Sequence, residues 1–187
     1  MANLDGLHTA VDAGLLKGIA LTGKGITLGL DAARLQGSLL SATQGVLDRI
    51  TSGNYSLAVS GVSTTALADI AANTHVVSME VGGTSDQIEA KLDDLYQLGK
   101  RVSRIQQSDG GTALDLTQTA FESRASVLGK IDGGYTVNVS GVTAQKALAD
   151  AMNSHVASIS VSDTGKSLVA NWNALRSLGA TLTSVTK

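Results

Sequence analysis

Apolar residues recur along this chain in two rhythms. In VVSMEVGG, VSRIQQSD, VASISVSD and LTSVTK they follow an L-x-x-L-x-L-x-x-turn pattern, with Val, Ile or Met in place of Leu. LKGIALTG fits as well, and YSLAVSGV and YTVNVSGV fit from their second apolar position. Alternation of this kind predicts short strands with one face buried. The strand centres fall at Ile19, Leu57, Met79, Ile105, Val137, Ile159 and Val185. Four residues after each complete strand stands Gly23, Gly61, Gly83, Asp109, Gly141 or Asp163. Glycine supplies unusual φ at a sharp turn and aspartate supplies a side-chain-to-backbone bond, so these six are read as structural turns.

The second rhythm is helical. Ile88, Leu92, Leu95 and Leu98 stand at i, i+4, i+7 and i+10, and Leu168, Trp172, Leu175 and Leu178 repeat the spacing. Each set shares one helix face. Thr84 and Thr164 are placed to cap these helices, and Gly99 and Gly179 to stop them. Shorter helices are predicted over 64–73 and 144–153, and longer ones over 117–130 and 31–48. ITLGL (26–30) and TALDL (112–116) alternate like a further short strand in the longest unit.

The two rhythms belong to a duplication. Residues 55–105 align without a gap on 135–185, at an offset of 80, with 16 of 51 positions identical. Tyr55/Tyr135, Asn73/Asn153, His75/His155 and Gly99/Gly179 are among the identities. Strand centres inside the period are spaced 22, 26 and 32 residues, then 22 and 26 again. Strands joined by helical connections of that length are parallel. The expected architecture is therefore a right-handed α/β solenoid with a period of 80 residues and three strands per period. Its strands would form one parallel sheet on one face, with helices on the other. Residues 1–187 would be a single repeat domain: 1–50 a partial repeat, 51–130 a full one and 131–187 a partial one.

Composition narrows the function more than it defines it. The 187 residues are 43% hydrophobic and 16% charged, enough apolar mass for a core and too little charge for a disordered tail. A net charge of −2 argues against nucleic acid, and the absence of cysteine removes disulfides, thiolate metal sites and a cysteine nucleophile. No apolar run approaches the ~18 residues of a membrane span. MANLDGLHTAVDAGLLKG shows no signal peptide. Aromatic content of 3% suits thin layers of small side chains.

Candidate chemistry is sparse. His75 and His155 could serve a catalytic or metal site, but equivalent repeat positions favour packing or hydrogen bonding at the start of a strand. His8 has no evident partner, and no metal-ligand spacing occurs. Asp109, Asp132 and Asp163 each bring a single carboxylate, against the ~6–8 oxygens calcium takes. Gly18 to Lys24 approaches a phosphate loop, yet Gly25 stands where Ser or Thr is required. Trp172 aligns with Leu92, so it is expected to fill the core. No G-x-S-x-G elbow is present, and no cofactor is called for. The outward strand positions are the candidate binding face: Ser78, Glu80, Arg104, Gln106, Asn138, Ser158 and Ser160. Of these only Arg104 is a residue type favoured at binding hot spots.

The strand unit is similar to leucine-rich repeats, with Gly or Asp replacing the turn asparagine. The longer pattern, NSHVASISVSDT…NWNALRSLGATLTSV with SDGGTALDLTQTAFESRASVLGKI and GGYTVNVSGV, resembles repeat segments of very large bacterial surface or secreted proteins, many of them exported by type I systems with RTX-type calcium repeats elsewhere. The G-G-x-G-x-D nonapeptide is absent here, so calcium binding is not carried over. The resemblance implies an extracellular or cell-surface location, export without an N-terminal signal, and a non-enzymatic structural or adhesive role. The chain opens inside a repeat and closes on an open strand, LTSVTK. Expected partners are accordingly neighbouring repeats of the same chain or further copies of it, joined end to end in a filament or surface layer. A glycan- or peptide-binding module using the strand face is the alternative. An enzyme dependent on His75 or His155 ranks third.

Overall fold

The computed structural model describes residues 4–23, 25–52 and 54–187. In chain order they form α1 (Leu4–Asp12), β1 (Ile19–Ala20), β2 (Ile26–Asp31), α2 (Gly37–Leu47), β3 (Ile50–Ser52), β4 (Tyr55–Ser63), α3 (Leu67–Ala72) and β5 (Val76–Gly83). Then come α4 (Ser85–Ala90), α5 (Leu92–Leu98), β6 (Val102–Gln107), β7 (Leu114–Thr117), α6 (Gln118–Ser123) and α7 (Ala125–Leu128). The last elements are β8 (Val137–Val142), α8 (Ala147–Ala151), β9 (Val156–Ser162), α9 (Gly165–Ala170), α10 (Trp172–Ser177) and β10 (Leu182–Thr186). The described residues fall into two compact units, one running through Gly82 with Lys100–Arg104, the other comprising Gly83–Gly99 and Ile105–Lys187.

The solenoid built on one sheet is not what forms. The strands belong to three parallel sheets: β1–β3, β2–β4–β5–β6 and β7–β8–β9–β10. Glycines interrupt the ladder that a single sheet would need. Gly110 and Gly111 (φ 72° and 85°) separate β6 from β7, and Gly133 and Gly134 (φ 78° and 86°) precede β8. Across the first of these pairs the chain keeps an isolated parallel bridge, Ile105 to Ile131. Near the N-terminus Gly23 (φ 134°) and Gly25 (φ 65°) separate β1 from β2 in the same way. Successive or closely spaced residues at positive φ turn the chain out of the extended region, and the strands end there.

The element that recurs is a four-stranded parallel sheet. Leu30 pairs with Val59 as Leu116 pairs with Val139, and Val59 pairs with Met79 as Val139 pairs with Ile159. Even the irregularities coincide: the register shifts between Val59 and Val62, and again between Val139 and Val142. Gly61 and Gly141, both at φ 67°, occupy those bulges. ITLGL and TALDL therefore open the two sheets as β2 and β7. Inward residues of both are fully buried, among them Leu57, Met79, Val137 and Ile159.

The predicted helices form with breaks. The run from Thr84 to Gly99 divides at Lys91 (φ −111°, ψ 9°) and its copy at Asn171 (φ −107°, ψ 11°), while Ile88, Leu92 and Leu95 remain buried. Thr84 Oγ1 accepts from the Gln87 N–H, and Gln87 Oε1 accepts from the Thr84 N–H at 3.0 Å, closing a capping box. Thr164 Oγ1 accepts from the Ser167 N–H at 3.2 Å. Gly99 ends α5 at φ 52°.

Candidate functional site

In the first unit the outward face of the sheet sinks into a shallow cleft of about 250 Å³. Gly29, Ala58, Ser78 and Ser103 line it because glycine, alanine and serine leave little side chain above the pleat, and Ser60 and Glu80 also border it. Two hydroxyls turn inward to backbone: Ser103 Oγ donates to Met79 O at 3.0 Å and Ser60 Oγ to Leu30 O at 3.4 Å. Glu80 stays exposed and places a carboxylate at the cleft, and Arg104 is exposed on β6.

The second unit uses its outward residues differently. Asn138 Nδ2 donates to Asp115 Oδ1 at 2.8 Å, and Ser158 Oγ donates to Asn138 Oδ1 at 2.7 Å, a polar ladder across β7, β8 and β9. Ser140 Oγ donates to Leu116 O at 3.2 Å and Thr183 Oγ1 to Ile159 O at 3.0 Å, the counterparts of the Ser60 and Ser103 bonds. Ser160 is half-buried on β9 and Gln106 exposed on β6. Of the seven outward residues expected from sequence, Ser78 and Glu80 meet in the cleft and Asn138 and Ser158 meet in the ladder. Asp115, Ser60 and Ser103 were not anticipated. Asp115 belongs to TALDL, whose place beside β8 gives it Asn138 as a cross-strand partner.

Each histidine is engaged inside its own unit. His75 stacks on Tyr55 with ring centroids 4.2 Å apart and planes 5° from parallel, and His155 stacks on Tyr135 at 4.1 Å and 2°. Nδ1 of His75 donates to Tyr55 O at 3.2 Å, and that of His155 to Tyr135 O at 3.0 Å. A carbonyl oxygen can only accept, so Nδ1 carries the proton in both. The backbone N–H of each histidine donates to the Oδ1 of Asn73 or Asn153, at 2.9 and 3.0 Å. The identical Tyr, Asn and His thus make one local device, built twice.

The turn residues divide by mechanism. Gly23, Gly61 and Gly141 have positive φ, whereas Gly83 is the buried, extended end of β5. Asp163 accepts from the Thr164 N–H at 2.7 Å and from the Ala144 N–H at 3.0 Å, and these bonds, the first leading, hold its carboxyl below the usual range. Asp109 Oδ2 accepts from Ser85 Oγ at 2.6 Å and from the Ser85 N–H at 2.8 Å, and the hydroxyl bond leads in depressing its pKa. Gln107 Nε2 donates to the same Ser85 Oγ at 2.6 Å. Burial pushes the carboxyls of Glu89 and Asp150 upward.

Two further expectations change. His8 has a partner, Asp12, with Nε2 to Oδ2 at 3.2 Å one helical turn away. Trp172 is 58% exposed where Leu92 is 5% exposed, so it does not fill the core. Lys24, the centre of the phosphate-loop resemblance, lies outside the described residues. Asp132 is exposed at the turn before β8. Among the described residues no group of three or more His, Cys, Asp or Glu could hold a metal ion, and no helix is long and apolar enough to cross a membrane. No family model, no curated protein and no solved structure matches the chain.

Proposed function

We propose that the chain is a non-enzymatic structural and adhesive module of a bacterial cell-surface or secreted protein, able to associate with copies of itself or with neighbouring repeats. The observation that carries this reading is the twin Tyr–Asn–His device. Its histidines are the residues best suited to acid–base chemistry, and both spend Nδ1 and the ring face on holding the start of a strand. The Asp163 carboxylate likewise serves backbone N–H groups, and Asn138 and Ser158 serve each other. The likeness of the repeat pattern to bacterial surface-protein segments supports the extracellular location and type I-like export.

A second reading, a module that binds glycans or peptides on the strand face, draws on the cleft beside Ser78, Glu80 and Ser103. Glycan-array screening and calorimetry with the parent and with Glu80→Ala and Arg104→Ala separate the two. Saturable binding that falls on either substitution establishes the binding module. No saturable binding, together with concentration-dependent growth in particle size, supports the structural one. Turnover of a hydrolase substrate that disappears in His75→Ala or His155→Ala would overturn both.

A further inference from the structure

The two units repeat their strands and helices, but they fill the space between two of those helices differently. Residues 31–36 align on 117–122, and the buried positions coincide, Ala32 with Gln118 and Leu35 with Phe121. Residues 64–73, which include α3, align on 144–153, which include α8. In the second unit side chains span the gap. Lys146 Nζ donates to Glu122 Oε1 and Oε2 at 2.7 and 2.9 Å, and Gln118 Nε2 donates to Asp150 Oδ2 at 3.0 Å. In the first unit Ala66 stands for Lys146, Gln36 for Glu122, Ala32 for Gln118 and Ile70 for Asp150. The long basic chain and its acid are gone together, and a groove of about 540 Å³ stands open between Gln36 and Asp69. Both of its walls are formed by described residues of the first unit.

The polar groups of this groove are left open to an incoming molecule. Gln36 Nε2, at the start of α2, is buried and has no hydrogen-bond partner, and a buried donor without an acceptor is costly until one reaches it. Asp69, on α3, is exposed, and its carboxylate forms no ion pair or hydrogen bond with any described residue. Its counterpart in the filled gap is Ala149, so the carboxylate belongs to the open groove alone. Leu35, Ala66 and Ile70 are buried and give the floor an apolar surface that a methylene chain can cover. A carboxylate on one helix, an amide donor on the other and an apolar floor between them match a lysine within a polypeptide. The ammonium suits Asp69, the methylene stem suits the floor, and a main-chain carbonyl suits Gln36 Nε2. A free diamine brings the ammonium without the acceptor, and an apolar segment leaves Asp69 without a counter-charge.

We propose that the groove between Gln36 and Asp69 docks a lysine side chain of a partner polypeptide, in the place that Lys146 occupies in the second unit. Such a site goes beyond the structural role and needs no self-association of the chain.

Amide-resolved NMR titration of the full chain with the blocked peptide acetyl-Ala-Lys-Ala-amide tests it, beside the same peptide with norleucine for lysine and beside cadaverine. The expected result is saturable shifts at Gln36, Asp69 and Asn73 with the lysine peptide, weakening as salt is raised. The norleucine peptide, which lacks the ammonium, should bind about tenfold more weakly, and cadaverine, which lacks the carbonyl, about fivefold more weakly. Asp69→Asn should weaken the lysine peptide about tenfold and Gln36→Leu about fivefold, in variants checked for folding by melting. Ala66→Lys combined with Gln36→Glu rebuilds the second unit's pair inside the groove and should abolish binding. No saturable shift up to about 20 mM lysine peptide overturns the proposal. Equal binding of the norleucine peptide overturns the pairing with Asp69, and equal binding of cadaverine overturns the polypeptide partner. Shifts that persist in Asp69→Asn and in the Ala66→Lys, Gln36→Glu variant overturn the site itself.

Discussion

His155 lies flat on Tyr135, ring centroids 4.1 Å apart, while its Nδ1 donates to the carbonyl oxygen of that same tyrosine at 3.0 Å. The ring contact and the hydrogen bond together fix the start of β8 against the start of β9, because Tyr135 and His155 precede those strands by two residues and one. Replacing His155 with Ala should cost about 1–2 kcal/mol, from one hydrogen bond and one stacked pair. His75→Ala should cost less, because His75 is exposed where His155 is half-buried. Urea unfolding of the single and double variants with Tyr135→Ala checks this, with an expected coupling of about 0.5–1.5 kcal/mol.

The two bulge glycines predict an asymmetric pair. A methyl added at Gly61 would lie 3.2 Å from Asp31 Oδ2, whereas at Gly141 nothing lies within 4 Å. Both substitutions to Ala carry the left-handed backbone penalty of roughly 1–2 kcal/mol. Gly61→Ala should therefore destabilise more than Gly141→Ala, and Gly141→Asn should recover part of the loss. Thermal melting of the three variants is the measurement.

Core truncation should discriminate equally between equivalent positions. Leu95 and Leu175 are 0% and 1% exposed on the same helical face. Leu→Ala at either should cost about 2–5 kcal/mol. Trp172→Ser, at the position equivalent to the buried Leu92 but itself exposed, should leave the melting temperature of the dilute chain nearly unchanged.

Acid should act through the turn aspartates. Hydrogen bonds hold Asp109 and Asp163 below their ordinary 3.8, so the folded state binds protons there less readily than the unfolded chain. Their contribution is complete above that ordinary value and is lost as pH falls through the depressed folded values. Glu89 and Asp150 are raised by burial, so their protonation favours the folded state as pH falls from neutrality. Urea midpoints should hold or rise slightly from pH 7 to about pH 5 and fall steeply below about pH 4. Asp163→Asn should flatten the acid limb, and Glu89→Gln should flatten the upper one while keeping an acceptor for the Asp115 N–H.

Much of the local structure was legible in the amino-acid order. Every strand centre from Leu57 to Val185 lies in a strand, Thr84 and Thr164 cap their helices, and Gly99 ends α5. These are short-range matters of period and cap chemistry. The candidate face was legible only in part. Alternation says which side chains leave the core, but the partner of Asn138 depends on which strand lies beside β8. That neighbour, β7, was read as an accessory to a longer unit, and Asp115 was missed with it.

The sequence by itself determined the duplication, the inward and outward sides of the strands, and the residue types at the turns, because these follow from side-chain period and from what glycine, aspartate and threonine can do locally. Tertiary structure decided which strands share a sheet and which apolar positions are covered. Glycine accepts either sign of φ, so its letter cannot say that Gly83 continues a strand while Gly110 and Gly111 end a ladder. Burial depends on what lies opposite, so Leu92 and Trp172 hold equivalent places in the repeat, one beneath a cover and the other facing solvent.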